Sequence, residues 1–215
     1  LKTPNALGAL TGSGGFLLHG ETMTRTDAIN EMLSAIREAP VSSLDGEDLG
    51  VDVAVAEDVL DRIDRLVQST PWTFNTERKI TFTPDSDGLI TVGSDVLSIR
   101  WDRCLNRNTQ EPILRGQGKV YNRATNTFVW AAPVKADLLI RKQPWDSIPE
   151  IAQQYIVTRA AREFVLKTTS DQTAYQASAI TERDAHRQLK KMYAMESKVN
   201  YFHGPGMHEL TGGRY

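Results

Sequence analysis

The sequence predicts an α+β fold: a four-helix bundle with an inserted small antiparallel β domain and an extended C-terminal tail. Three observations carry that expectation. Apolar residues recur at helical spacing over residues 23–70 and again over 146–198. Between them, over residues 71–145, the period drops to two. From residue 199 to 215 the chain turns Gly-rich and loses any period, as an extended docking tail would. Because the strands lie together between two helical pairs instead of alternating with helices, the pattern selects α+β over a parallel α/β sheet. At 215 residues, 40% of them hydrophobic and 24% charged, the chain is long enough to bury a sizeable core.

The elements follow in chain order. Residues 1–22 lack an initial Met and are rich in Gly and small polar residues, so they read as a flexible N-terminal arm or read-through remnant ahead of a natural start at Met23. Thr24 and Asp27 stand at capping-box spacing, and Ile29, Met32, Leu33 and Ile36 share one face, which predicts a short helix ending before Pro40. Residues 39–50 gather Pro, Ser, Asp and Gly, the turn chemistry of a tight helical hairpin. In the next helix Leu49, Val53, Ala56, Leu60, Ile63 and Val67 alternate steps of four and three, a narrow seam suited to a bundle. Its other face is charged, with Asp58 and Arg62, and Asp61 and Arg65, forming acid-before-base pairs four apart.

Pro71, Trp72 and Phe74 close the helical half and open the β domain. Strands are predicted around Ile80 and Phe82 and over residues 89–92, 96–101, 118–122, 127–130 and 134–141, with PDSDG (84–88) and NRATN (122–126) as turns. Ser147 and Glu150 match a second capping box with Pro149 in the first turn, and Ile148, Ala152, Ile156, Ala160 and Phe164 recur every four residues behind it. A long helix over residues 171–196 has only a thin stripe of Tyr175, Ala185, Leu189, Met192 and Tyr193, which one subunit cannot wholly bury. Tyr175, Leu189, Met192 and Tyr193 are therefore the candidates for packing against another subunit or partner.

Reaction chemistry is sparse. A net charge of -2 indicates no whole-chain attraction to nucleic acid or acidic membrane. No stretch approaches the roughly 20 apolar residues of a membrane span. The single cysteine, Cys104, cannot form an intrachain disulfide and reads as an ordinary thiol of a protein made inside a cell. His186, His203 and His208 do not stand at metal-ligand spacing, and neither a metal nor a cofactor is expected. The GSGG run near the start leads into no helix and lacks a phosphate-binding Lys, while Gly116 and Gly118 fit a turn or bulge among strands. Glu57, Asp58, Asp61 and Asp64 crowd one helix. Paired carboxylates suit glycoside hydrolysis or a hard metal, but these residues fit a solvated or intersubunit face better. Arg159, Arg162, Lys167, Arg183, Arg187, Lys190 and Lys191 make the C-terminal helices locally basic; Glu163, Asp171, Glu182 and Asp184 dilute them, and no helix-turn-helix register accompanies them. No catalytic residue is predicted.

Three segments carry a family resemblance in combination: TDAINEMLSAIREAPVSSLDG, then VQSTPWTFNTERKITFTPD, and after the strands WDSIPEIAQQYIVTRAAREF. Their order, the strand-rich interval and the length resemble the tail tubular protein A family, head-to-tail adaptors of short-tailed bacteriophages, from about Met23 to Phe164. The resemblance implies a homo-oligomeric ring of twelve copies in the virion tail, assembled in the host cytoplasm. It would join the portal protein to the tail nozzle, tail tubular protein B, around a channel that DNA traverses without being read. At matching positions it implies fold-specifying roles for Pro40, Gly46, Trp72, Phe74, Ile148 and Pro149. It also implies that the C-terminal tail reaches the portal, for which Tyr201, Phe202, Met207, Leu210, Arg214 and Tyr215 are the candidate anchors. The alternative is a tail-associated hydrolase of cell-wall or capsule polysaccharide that uses Glu57, Asp58 and Asp61.

Overall fold

The computed structural model describes residues 23–46, 50–102, 111–116, 118–169 and 171–201. Two early helices, α1 (Arg25–Ala35) and α2 (Val51–Gln68), precede five strands: β1 (Thr76–Phe82), β2 (Val96–Trp101), β3 (Pro112–Arg115), β4 (Lys119–Asn122) and β5 (Val134–Arg141). Two long helices, α3 (Glu150–Thr168) and α4 (Gln172–Tyr201), follow them. The mixed α+β class is thus as the periods predict.

The first helix starts as its sequence dictates. Thr24 Oγ1 accepts from the Asp27 backbone N–H at 3.1 Å, and the Asp27 carboxylate accepts from the Thr24 N–H at 3.1 Å, which satisfies two of the amides that a helix start leaves unpaired. At its other end Arg37 takes a left-handed φ of 65° while Glu38 N–H bonds to Leu33 O and Arg37 N–H to Ser34 O, a Schellman stop that turns the chain well before Pro40. Asn30 then pins the connection by bonding both backbone groups of Val41, at 3.0 and 2.8 Å.

The predicted seam of α2 is buried at Val53, Ala56, Leu60, Ile63 and Val67; Leu49 lies outside the described residues. α3 is the shared partner of the other helices, and α1, α2 and α4 each lie against it. Its buried residues, from Ala152 through Tyr155, Ile156, Val157 and Ala160 to Phe164 and Val165, accordingly spread around the helix instead of forming one stripe. Tyr155 stacks on His186 and Arg162 reaches Tyr175, so earlier α3 residues meet later α4 residues and the two helices run antiparallel.

The start of α3 differs from expectation. No capping box forms between Ser147 and Glu150: Trp145–Ser147 makes a short 3₁₀ turn, Ile148 stays extended, and Pro149 is the N-cap without a side-chain bond. A residue before proline is pushed out of the helical region, so the helix waits until Glu150. At the far end α4 continues to Tyr201, taking in residues 199–201 that the sequence assigned to the tail.

The strands form two antiparallel units, a three-stranded sheet in the order β1-β5-β2 and the β3-β4 hairpin. A second apolar core of Ile90, Val92, Val120, Trp130 and Val134 fills this region, flanked by Phe82 against Trp101 with ring centres 5.6 Å apart. Two predicted strands reduce to bridges. Residues 89–92 do run beside β4, through Val92 N–H to Gly118 O and Val120 N–H to Ile90 O, but count only as a bridge at Thr91. Residues 127–130 bridge at Thr127 and then leave, because Trp130 turns inward to donate its indole N–H to Val120 O at 2.9 Å. β3 escaped prediction since it begins on Pro112, a residue that reads as a breaker but is tolerated at the first position of a strand.

Gly118 shows why this region needs glycine. Its φ is +74°, and an added Cβ would stand 2.4 Å from Val92 O, the backbone of the adjoining segment. Gly118→Ala is expected to cost about 2–3 kcal/mol from the left-handed backbone and the overpacking together, read as a lower urea midpoint with unchanged m-value. Gly116 meets nothing within 4 Å, so Gly116→Ala is the control.

Both chain crossings between helices and strands are fastened to the end of α2 by polar groups. Gln68, fully buried, accepts from Gln143 N–H at 2.7 Å and donates to Gln143 O at 3.1 Å and to Asp64 Oδ1 at 2.7 Å. The buried Asp64 carboxylate also meets Lys142 Nζ at 3.0 Å. On the outgoing side Asn75 donates to Gln68 O at 2.6 Å and accepts from Trp72 N–H at 2.9 Å. Trp72, expected to open the β domain, belongs instead to the helical core, its indole N–H on Val67 O at 2.9 Å.

Candidate functional site

The thin stripe of α4 packs in part inside the chain. Leu189 is fully buried, and Met192 and Tyr193 pack on the helical core. Tyr193 meets Trp72 edge-on with ring centres 5.6 Å apart. The Tyr175 hydroxyl accepts from Arg162 Nη2 at 2.8 Å, and the guanidinium carbon lies 4.4 Å over the ring. The four candidates for packing against another molecule thus make contacts within the chain, Leu189 buried and Tyr175, Met192 and Tyr193 partly exposed. A narrow stripe suffices because α3 presents apolar residues on this side as well as toward α1 and α2. Of the tail candidates, Tyr201 is the last helical residue of α4; Phe202, Met207, Leu210, Arg214 and Tyr215 lie outside the described residues, as do residues 1–22, Cys104, His203 and His208.

Polar groups reinforce the α3–α4 contact. Arg162 Nη1 reaches Glu182 at 2.7 Å, and this bond above all holds the guanidinium proton more firmly than usual; Arg162 Nε is buried without a partner. His186 lies 4.8 Å from Tyr155 in a near-parallel stack, and burial, then Lys190 and Arg159, lower its pKa below 6.5. The unfolded chain therefore takes up the proton first as pH falls. The stability tied to His186 is complete above about pH 6.5 and is lost as pH falls through that value toward the folded pKa. His186→Gln is expected to show a smaller drop in melting temperature than the parent chain between about pH 7.5 and about pH 5.5.

The carboxylates of α2 do not converge on a cleft. Asp61 pairs with Arg25 of α1 at 2.8 Å, Arg62 with Glu163 of α3, and Asp58 with Lys167 of α3 at 3.9 Å. These links replace the expected i,i+4 pairs, since α2 packs closely enough on α1 and α3 for its flanks to reach their opposite charges. Asp64 belongs to the crossing network described above. Among the described residues no group of three or more His, Cys, Asp or Glu could hold a metal ion, and no helix is long and apolar enough to cross a membrane.

Large apolar side chains also remain exposed on the helices. On α4, Ile180 is 56% and Met195 61% exposed, Ile180 on the side opposite Ala185 and Leu189. On α2, Val51 and Leu66 face outward, as does Leu166 on α3. A groove of about 370 Å³ runs between α3 and α4, lined by Glu150, Ile151, Gln154, Thr158, Thr181 and Gln188 among others. Sequence reasoning followed the inner stripe of α4 and passed over Ile180 and Met195; their position off that stripe was the available signal.

Charged side chains of α2, and those at the α3–α4 contact, tie helices to one another. Residues 26–202 match the family described as tail tubular protein, and the chain belongs to that family. It is a structural component of a phage tail. No curated protein matches the chain.

Proposed function

We propose that the protein is the head-to-tail adaptor of a short-tailed phage, a ring subunit joining the portal to the tail nozzle and leaving a channel for DNA ejection. The observation that carries this reading is the family match over residues 26–202. It agrees with the apolar side chains left exposed on α2, α3 and α4 after folding, the kind of surface that identical copies and adjoining virion parts cover. In this reading residues 23–70 and 146–198 form a helical bundle body, residues 71–145 an inserted β domain, and residues 199–215 a tail that docks on the portal through Phe202, Met207, Leu210, Arg214 and Tyr215. Ring closure lets many modest contacts act together, so no single one need be strong. The body is rigid where rigidity is useful, because both crossings into the strands are fastened to α2 through Gln68 and Asn75.

Limited proteolysis of the full chain, free and bound to the portal of the same phage, tests the docking role. Cleavage within residues 199–215 is expected in the free chain and protection in the complex. Equal cleavage in both states would reject the tail as the docking segment.

A further inference from the structure

Charge is distributed unevenly over the helices. Residues 23–70 carry four basic residues against eleven acidic ones, whereas residues 183–191 carry four basic residues against one acidic. In the structure α4 packs on α3, while α1 packs on both α3 and α2. On α4, Ala185 and Leu189 face inward, which turns Arg183, Arg187, Lys190 and Lys191 outward on the face that also carries the exposed Ile180. Arg187 meets Asp184 of its own helix at 3.3 Å. Arg183, Lys190 and Lys191 have no ion-pair partner among the described residues.

The acidic counterpart lies on α1 and the segment after it. Ala28, Ile29, Met32 and Leu33 form the inward face of α1, leaving Glu31 on the opposite side, while Glu38 and Asp45 are exposed beyond the helix end. None of the three has an ion-pair partner among the described residues. Glu31 is half-buried, and that burial raises its pKa. Val41 and Leu44, partly buried between these acids, supply apolar surface beside them as Ile180 does on α4.

We infer that the outer face of α4 in one copy, with Ile180, Arg183, Lys190 and Lys191, docks on the α1 side of the next copy at Glu31, Glu38 and Asp45. The occupant of each face is a second copy of this chain, chosen by complementary charge. Repeated head to tail, a contact between the two unlike patches is heterologous, and a heterologous contact that closes makes a ring. Like-charge meetings, basic face to basic face or acidic to acidic, are disfavoured. The inference rests on the ring reading above and assigns the surfaces that would close it.

Two variants of the full chain test it, one with Arg183→Glu, Lys190→Glu and Lys191→Glu, the other with Glu31→Lys, Glu38→Lys and Asp45→Lys. Circular dichroism melts establish that each is folded, and mass measurement across concentration follows association. The parent chain is expected to associate less as salt rises, and each variant alone to associate at least about tenfold more weakly. Mixed in equal amounts, the two variants are expected to recover association with strictly alternating composition, because each then presents the charge its neighbour lacks. Association of either variant at parental strength, or a mixture of folded variants that stays apart, would overturn the interface while leaving the ring reading standing. Retention of duplex DNA that the α4 variant loses, with self-association unchanged, would assign the basic face to nucleic acid and likewise overturn the interface. A parent chain that remains a single copy both alone and on a portal would overturn the ring reading and the interface with it.

Discussion

Phe164→Ala is expected to lower the unfolding free energy by about 3–5 kcal/mol. Phe164 is a large, fully buried side chain of α3, and α3 is the helix against which α1, α2 and α4 all lie. Removing its ring opens a cavity in the helical core, so the cost belongs at the upper part of the range for such truncations. Urea unfolding followed by far-UV circular dichroism checks this, with a lower midpoint and an unchanged slope as the expected result. Leu166→Ala, two residues on but half exposed, supplies the contrast and is expected to change stability by less than about 0.5 kcal/mol.

Gln68→Leu is expected to cost about 3 kcal/mol, although it puts an apolar side chain of similar size in a buried place. Three partners lose their bonds at once: the N–H and the carbonyl of Gln143, and the Asp64 carboxylate. Leaving buried polar groups unsatisfied costs far more than an average hydrogen bond contributes. Gln68→Glu keeps an acceptor for Gln143 N–H but sets a second carboxylate beside Asp64, so it is expected to destabilise as well. Hydrogen exchange at Gln143 distinguishes this local loosening from a general loss of core. Its amide is expected to exchange faster in Gln68→Leu while amides in the middle of α3 change only with global stability.

The two sets of features were not equally legible in the sequence. Helix positions were, because each of α1, α2 and α3 shows its own period, and the α1 start declares itself through Thr24 and Asp27 alone. What depends on a partner distant in the chain was not. Asp58, Asp61 and Arg62 look like members of i,i+4 pairs along one helix, yet they reach Lys167, Arg25 and Glu163 on others. The crossing network was similarly hidden, although Asp64 and Gln68, four apart and set among Ile63 and Val67 on the buried side of α2, were polar residues on an apolar face. Proline misled twice: it concealed the start of β3 at Pro112 and suggested a Ser147 cap where Ile148 must stay extended. The strand pattern was read correctly where a strand has full neighbours, at β5 above all, and overread at residues 89–92 and 127–130, where pairing is partial.

For assembly, composition and period were informative about class and poor about place. The thin stripe of α4 pointed to unburied surface; Leu189 is buried within the chain and Tyr193 meets Trp72, while Ile180 lies exposed on the reverse of that helix. A helical wheel drawn from sequence shows both faces, and only packing on α3 says which of them is left over.

The most direct test of the account is the mass of the full chain measured alone and after mixing with the portal of its phage. A subunit of the proposed adaptor is expected to give one discrete assembly on the portal, a closed ring of twelve copies, whatever its state when free. A chain that stays as single copies in the presence of that portal, folded and at every concentration, would contradict the adaptor role.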